Sequence, residues 1–302
     1  MRAMVAKLLL TAAALALTAA AGPAGAESVG VIPQVHEPTA EERGPSPTSM
    51  SDRLMVCASA KDAPYSTAAK DGFENRIAEA LAQAMDRDVE FVFSQRASIY
   101  NVRDLLEPKA CDVVFGIDPG DPRVETSEPY FRTAYAFVSR ADSGFDGHRW
   151  QDAGRDGLKR FATRIHSPAQ TMLKYAGKYE DNLAYLYGLV NFKSNRNAFT
   201  EVAADRLASE VRNGEADLAI AFAPDVARYV AASDGELRLT LIENSLERQD
   251  GVTIPLQYGQ TVGVRKGDDA LLKEINEGLA KAQDRIRTIL EEEGIPLLPL
   301  SS

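Results

Sequence analysis

The chain is poor in the side chains that usually carry catalysis and metal binding. Its 302 residues include three histidines, two cysteines and one tryptophan. His36 falls in a proline-rich stretch, His148 in a stretch rich in glycine and aspartate, and His166 beside Ser167-Pro168. No G-x-S-x-G, H-E-x-x-H or C-x-x-C occurs, so the short motifs of serine hydrolases, zinc peptidases and thiol oxidoreductases are missing. We therefore expect no catalytic residues, no metal site and no bound cofactor. Positive charge is also scarce: 34 Lys and Arg face 44 Asp and Glu, a net charge of −10. That balance, with no basic stripe to offset it, excludes nucleic acid as a partner. It suits either a basic protein face or simple solubility. Past residue 26 no apolar run approaches the roughly 18 residues that a membrane span requires.

What the chain does have begins with a targeting segment. Arg2 and Lys7 precede an apolar run from Leu8 to Ala21, and Ala24-Gly25-Ala26 forms an A-x-A cleavage signal before Glu27. Residues 1–26 are expected to be a cleaved signal peptide, which makes the mature protein periplasmic, and its removal deepens the net charge to −12. No cysteine stands at the cleavage point, so a lipid anchor is not expected. Residues 27–50 hold four prolines and little that is apolar, and read as a disordered leader. In an exported protein the lone pair Cys57 and Cys111 favours a disulfide. Two buried free thiols are the alternative.

From Arg53 the pattern alternates between strands and helices. Arg53–Ser59 reads as a strand. Gly72 opens a helix with Phe73, Ile77, Ala80, Leu81 and Ala84 at helical spacing. A strand over 89–93, a short helix around Val102–Leu106 and a buried strand at Val113–Ile117 follow, giving a β-α-β-α-β series and a parallel sheet. Asp118-Pro119-Gly120-Asp121-Pro122 then breaks regular structure, and Tyr130–Val138 is a long apolar strand. Further on, Phe161–Ile165 and Leu218–Phe222 read as strands. Ser167-Pro168 reads as a capped helix start, and a helix from about Phe199 to Arg212 precedes Asn213-Gly214. Leu237–Ile242 is a further strand. The last helix is the clearest element, with a stripe of Leu271, Leu272, Ile275, Leu279, Ala282, Ile286, Ile289 and Leu290 that Gly294 ends.

The buried strand, the polar elbow with Arg123, Ser127-x-Pro129-Tyr130 and the long aromatic strand together resemble two-lobed periplasmic solute-binding proteins of the Venus-flytrap type. Four local patterns narrow the resemblance. They are V-C-A-x-x-x-x-x-P-Y at 56–65, G-F-E-N-x-I-A-E at 72–79, C-D-V-V-F-G at 111–116, and P-L-Q-Y-G-Q-T-V-G-V-R-K-G-D at 255–268. They are similar to the quinoprotein-dehydrogenase-associated binding proteins, the J-type proteins of methanol oxidation. The resemblance implies an α/β, type II periplasmic-binding-protein fold. Residues 51–134 with 253–302 would form one lobe and 135–252 the other. It also implies a partner, the pyrroloquinoline quinone (PQQ) enzyme methanol dehydrogenase, together with its cytochrome c, and a role in assembly or activation rather than catalysis. Cys57 and Cys111 would lie on neighbouring strands. Two other functions are open on this fold: a transporter's binding protein for a small organic anion, and a dehydratase.

The resemblance also marks candidate cleft residues. Arg123 matches an elbow arginine that grips a ligand carboxylate in binding relatives, a geometry suited to guanidinium. An ion pair with Asp121 or Glu125 is the plainer reading. Tyr65 would form an aromatic wall or sit in the core, and Glu74 follows the helix start. Ser167 either caps its helix or, with the amides after it, meets an anion. Phe222 stands where amino-acid-binding relatives place the aspartate that meets a ligand ammonium, which argues against amino-acid binding. Asp225, three residues on, would reverse that if the register differs.

Overall fold

Three apolar runs early in the chain, each closed by turn residues, become neighbouring parallel strands. In the computed structural model, which describes residues 52–190 and 202–300, β1 (Arg53–Ser59) pairs with β2 (Asp88–Ser94) along its whole length. On its other side β1 meets β3 (Val113–Ile117), with Val56 opposite Val113 and Cys57 opposite Val114. The crossover between β1 and β2 is α1 (Phe73–Ala84), which turns Phe73, Ile77, Ala78 and Leu81 into the core. The short helix expected over 102–106 is a single wide, π-type turn, Val102–Leu106. Pro108 follows too closely for it to continue.

Two long strands join the halves of the molecule. In β4 (Phe131–Arg140) the first four residues pair with β8 (Gln257–Val264), from Phe131 opposite Gln260 to Ala134 opposite Gln257. From Tyr135 onward β4 pairs instead with β6 (Leu218–Phe222) and, from Ala136, with β7 (Leu237–Leu241). Beyond Gln260, β8 moves across to β3, with Thr261 opposite Ile117 and Val264 opposite Val113. Among the described residues the sheet therefore runs β2-β1-β3-β8-β4-β6-β5, where β5 is Phe161–Ala162.

Each half has its own core. Around β1, β3 and the start of β4, Leu54, Phe73, Ile77, Val113 and Tyr130 pack with the stripe of α6 (Asp269–Glu292). Gly278 lets α6 cross α1 closely, because a Cβ there would lie 2.7 Å from Met85 and 2.8 Å from Leu81. In the other half, one side of β4 and β6 is covered by α3 (Tyr179–Leu189), α4 (Ala204–Arg212) and α5 (Ala223–Ala231), through Leu186, Leu207, Val211 and Val226. The opposite side packs Phe137, Phe161, Leu218 and Ile220 against Met172 and Leu173 of α2 (Pro168–Tyr175). The result is the two-lobed α/β architecture the resemblance implied.

Several expectations need correcting. The strand expected over Phe161–Ile165 ends at Ala162, because Thr163 turns its hydroxyl onto the Ile220 carbonyl and the chain leaves the sheet. The helix expected from about Phe199 begins at Ala204; residues 199–201 lie outside the described residues, as do the expected signal peptide and leader over 1–50. The sequence reading missed α3 and α5. In α5 the strand β6 passes directly into a helix at Ala223-Pro224, where Pro at the helix start has no amide hydrogen to waste. No helix among the described residues is long and apolar enough to cross a membrane.

Of the two readings of the cysteines, the structure has the disulfide. Cys57 and Cys111 are bonded, with Cα atoms 5.4 Å apart, inside a small cluster that includes Val102, Leu106, Val114 and Ile117. Cys111 precedes β3, and the pairing of Cys57 with Val114 brings that approach alongside β1 within bridging range. The bridged residues are 54 apart in sequence, so chain-entropy reasoning puts the stabilisation at about 4 kcal/mol. Reduction should lower the melting temperature through the β1–β3 half. Chemical denaturation with and without a phosphine reductant measures the difference, and two reactive thiols in the denatured, unreduced protein would show that the bridge is absent.

Candidate functional site

The cleft is assembled from backbone choices at three loops. After β1, the chain folds back over the start of α1, and the carbonyls of Pro64 and Tyr65 accept the amide hydrogens of Phe73 and Glu74 at 3.0 and 2.9 Å. Gly72 is required here, since a Cβ would lie 2.1 Å from the Tyr65 carbonyl oxygen. This fold-back sets Tyr65 beside Glu74. Below them, Gly116 has φ +71° and leaves room that the Glu74 carboxyl fills; a Cβ on Gly116 would come within 2.5 Å of Glu74 Oε1. The third loop is the elbow after β3, where Asp118 accepts a hydrogen bond from Gln260 Nε2 at 3.0 Å.

These loops and the facing edge of the other lobe line a cavity of about 790 Å³. All six sequence candidates, Tyr65, Glu74, Arg123, Ser167, Phe222 and Asp225, border it. For Arg123 the structure has the plainer of the two readings, the ion pair with Asp121. Arg123 forks onto Asp121, donating from Nη2 to Oδ2 at 2.6 Å and from Nε to Oδ1 at 3.0 Å. Asp225, in the first turn of α5, accepts the Tyr65 hydroxyl at 2.9 Å and pairs with Arg164 at 3.3 Å. Ser167 stands at the cap position of α2, but its hydroxyl donates to the Arg164 carbonyl at 2.7 Å, so the side chain does not cap the helix. Phe222 is an aromatic wall with Tyr135 and Tyr258, ring centroids 5.7 to 6.1 Å apart in all three pairs.

Burial sets the ionisation of these groups. Glu74 accepts no side-chain or backbone hydrogen bond among the described residues, and burial, reinforced by Asp62, pushes its carboxyl up to about 8. Burial likewise raises Asp225, although Arg164 and the Tyr65 hydroxyl pull against it. Asp118 is raised by burial and by Asp121, against its Gln260 hydrogen bond. Burial and the nearby Asp118 carboxylate push the Tyr258 hydroxyl up to about 12. Tyr65 is raised well above the usual phenol range, first by burial and then by Asp225. Among the described residues no three His, Cys, Asp or Glu side chains gather as metal ligands.

The model of the bacterial extracellular solute-binding proteins, family 3, matches residues 54–291. The chain belongs to this family. Within it the relationship narrows. Protein MoxJ of Paracoccus denitrificans is 52% identical over 248 residues, covering 82% of this chain and 90% of that protein. Protein MoxJ of Methylorubrum extorquens is 43% identical over 293 residues, 97% of this chain and 95% of that protein. The crystal structure of MxaJ from Methlophaga aminisulfidivorans MPT superposes with a TM-score of 0.77 at 44% identity, covering 81% of this chain and all of that one. This solute-binding protein is therefore of the J type.

Sequence reasoning missed most of the cleft of this family 3 member. Asp62, Asp118, Tyr135, Arg164, Tyr258 and Gln260 all border it. Tyr258 and Gln260 stand inside the Q-Y-G-Q motif already noted, and Asp118 inside the elbow, so all three were findable as the polar or aromatic members of those motifs. Arg164 had no signal; its place follows from β5 stopping short. The cavity also holds carboxylates besides the position that Phe222 occupies. Phe222 does close the strand, yet Asp62, Glu74, Asp118 and Asp225 all face the cavity.

Glu74 yields a test. A carboxyl whose ordinary value of 4.5 becomes about 8 on folding holds an extra proton in the folded chain between those pH values. Stability must then fall as pH rises through that window, because the unfolded chain gives up the proton first. The Glu74→Gln variant removes this component, on the order of a few kcal/mol. It should gain on the wild type in melting temperature from pH 5 to 8, as followed by calorimetry. Parallel pH profiles for the two proteins would show that Glu74 ionises normally.

Proposed function

We propose that this chain is a periplasmic accessory protein for a PQQ-dependent methanol dehydrogenase, acting in assembly or activation of the dehydrogenase, with its cytochrome c as a further partner. The observation that carries this reading is the near-whole-chain relationship to the MoxJ proteins at 52% and 43% identity, joined to the local motifs described above. The cleft supports it as well. A transporter's binding protein for organic anions needs a cationic group free to grip its ligand. Here Arg123 is forked onto Asp121 and Arg164 sits against Asp225. Replacing such a pair by a ligand carboxylate would leave a protein carboxylate without its partner, at a cost of several kcal/mol where it is buried. A dehydratase on this fold is disfavoured by the same pairing, since its substrates are carboxylates too.

The test is a clean deletion in an organism that grows on methanol. Methanol dehydrogenase purified from the deletion strain should show reduced specific activity, with lowered quinone or metal content per subunit, and complementation should restore both. Normal activity and normal loading would overturn the proposal. A lost uptake of a small anion, with the dehydrogenase intact, would establish the transport reading instead.

A further inference from the structure

The cleft has more carboxyl groups than it has cations to neutralise them. Five acidic side chains border it: Asp62, Glu74, Asp118, Asp121 and Asp225. Arg123 is taken up by Asp121, and Arg164 is paired with Asp225. That leaves Asp62, Glu74 and Asp118 facing the cavity without a cation. Asp62 accepts only the Ser98 hydroxyl, Asp118 the Gln260 amide, and Glu74 no partner among the described residues. Burial holds the proton on Glu74 near neutral pH, so the unbalanced charge is that of Asp62 and Asp118, a field that repels anions and draws cations.

A second feature, independent of the carboxyls, points the same way. Tyr135, Phe222 and Tyr258 come from three different strands, and their ring centroids form a triangle of 5.7, 6.1 and 6.0 Å. The rings stand at 42°, 65° and 88° to one another, so they present both faces and edges. All three border the cavity. The negative faces of clustered aromatic rings attract a desolvated cation, and best of all one whose charge is spread over carbon-bound nitrogen. Asp118 accepts the Gln260 Nε2 hydrogen bond at 3.0 Å, and Gln260 and Tyr258, two residues apart, lie on the same face of β8. A carboxylate thus stands next to the aromatic wall.

We propose that the cleft binds a small organic ammonium ion, its charge held between Asp118 and the wall of Tyr135, Phe222 and Tyr258. The ligand carries no carboxylate, because both arginines that could receive one are already committed to protein carboxylates. A metal ion is not the occupant favoured by the donors, since among the described residues no three ligating side chains converge. The cavity of about 790 Å³ is in the range that encloses a drug-sized molecule, so the ammonium group occupies one end of it. This inference stands on the cleft alone and is independent of the dehydrogenase reading.

The experiment compares three probes of matched size at constant ionic strength: benzyltrimethylammonium chloride, sodium phenylacetate and benzyl alcohol. Isothermal calorimetry and thermal shift on the purified protein should detect saturable binding of the ammonium ion, and weak or no binding of the other two. Asp118→Asn and Tyr258→Leu should each weaken it about tenfold or more, as expected for loss of a charge partner or an aromatic face. Asp142→Asn, which removes the same charge from an exposed site outside the cleft, should bind as the wild type does. A circular dichroism melt of each variant without ligand establishes that it is folded. Absence of saturable ammonium binding would overturn the proposal. Equal binding of phenylacetate, or loss of binding in Asp142→Asn to the same degree as in Asp118→Asn, would also overturn it.

Discussion

Two antiparallel strands are shared by both lobes, and the rest of the molecule depends on that sharing. β4 spends its first four residues on β8 and the remainder on β6 and β7, while β8 moves from β4 to β3 after Gln260. A strand's backbone groups must be bonded all along its length. The changes of partner therefore occur at fixed residues: Ala134 to Tyr135 on one strand and Gln260 to Thr261 on the other. Tyr135 and Gln260 lie at those changes, and Tyr258 stands two residues before the second. There the sheet parts and a side chain meets the cavity instead of another strand. The wall of the cleft is thus a consequence of how two strands are divided between two lobes.

A second constraint acts on the far side of the cleft, along α5. Asp225 meets the Tyr65 hydroxyl, and Arg228, three residues later on the same helix face, forks onto Glu293 at 2.6 and 2.8 Å. Arg228 also donates to the Asp71 carbonyl at 2.9 Å, and Arg76 of α1 reaches Glu293 at 3.3 Å. One turn further, Ala231 lies where a Cβ on Gly294 would come within 3.0 Å, so the end of α6 and α5 approach at a glycine. Glu293 is 7% exposed and its two arginines are 29% and 27% exposed, so the ion pairs are half sheltered. Their net contribution is modest because desolvation offsets attraction. Their effect is to fix how one lobe meets the other, since an unpaired Glu293 in that setting would be costly.

How much of this was legible in the chain follows from what each element depends on. β1, α1, β3 and α6 were readable because their burial is local and periodic: Phe73, Ile77 and Leu81 repeat at helical spacing whatever packs on them. The disulfide was half legible, as export argued for the bridge while only the lateral pairing of Cys57 with Val114 could bring Cys111 near enough. α5 was not legible, because Ala223-Pro224 after a strand reads as a loop until the chain is seen to turn under it. Arg164 was invisible for the same reason. Its position depends on β5 ending at Ala162, which depends on Thr163 finding the Ile220 carbonyl across the sheet. Residues placed by long-range hydrogen bonds leave no periodic trace.

The elbow shows how a shared fold can carry a different cleft. Asp118 and Asp121 flank Pro119-Gly120, with Gly120 at φ +75°, so the chain reverses within four residues and the two carboxylates are sent in different directions. Asp121 turns to Arg123 and neutralises it, while Asp118 turns to Gln260 and the aromatic wall. Nothing in the packing of either lobe requires this division, as Arg123 is 44% exposed and Asp118 is only partly covered. The fold supplies two shared strands, a cavity and a loop of fixed path. Two side chains of that loop contribute to the charge that the cavity offers, beside Asp62, Arg164 and Asp225, and they can change while the core contacts stay in place. Membership of a solute-binding family therefore gives this chain its fold, while the side chains of loops such as this one decide what the cleft can hold.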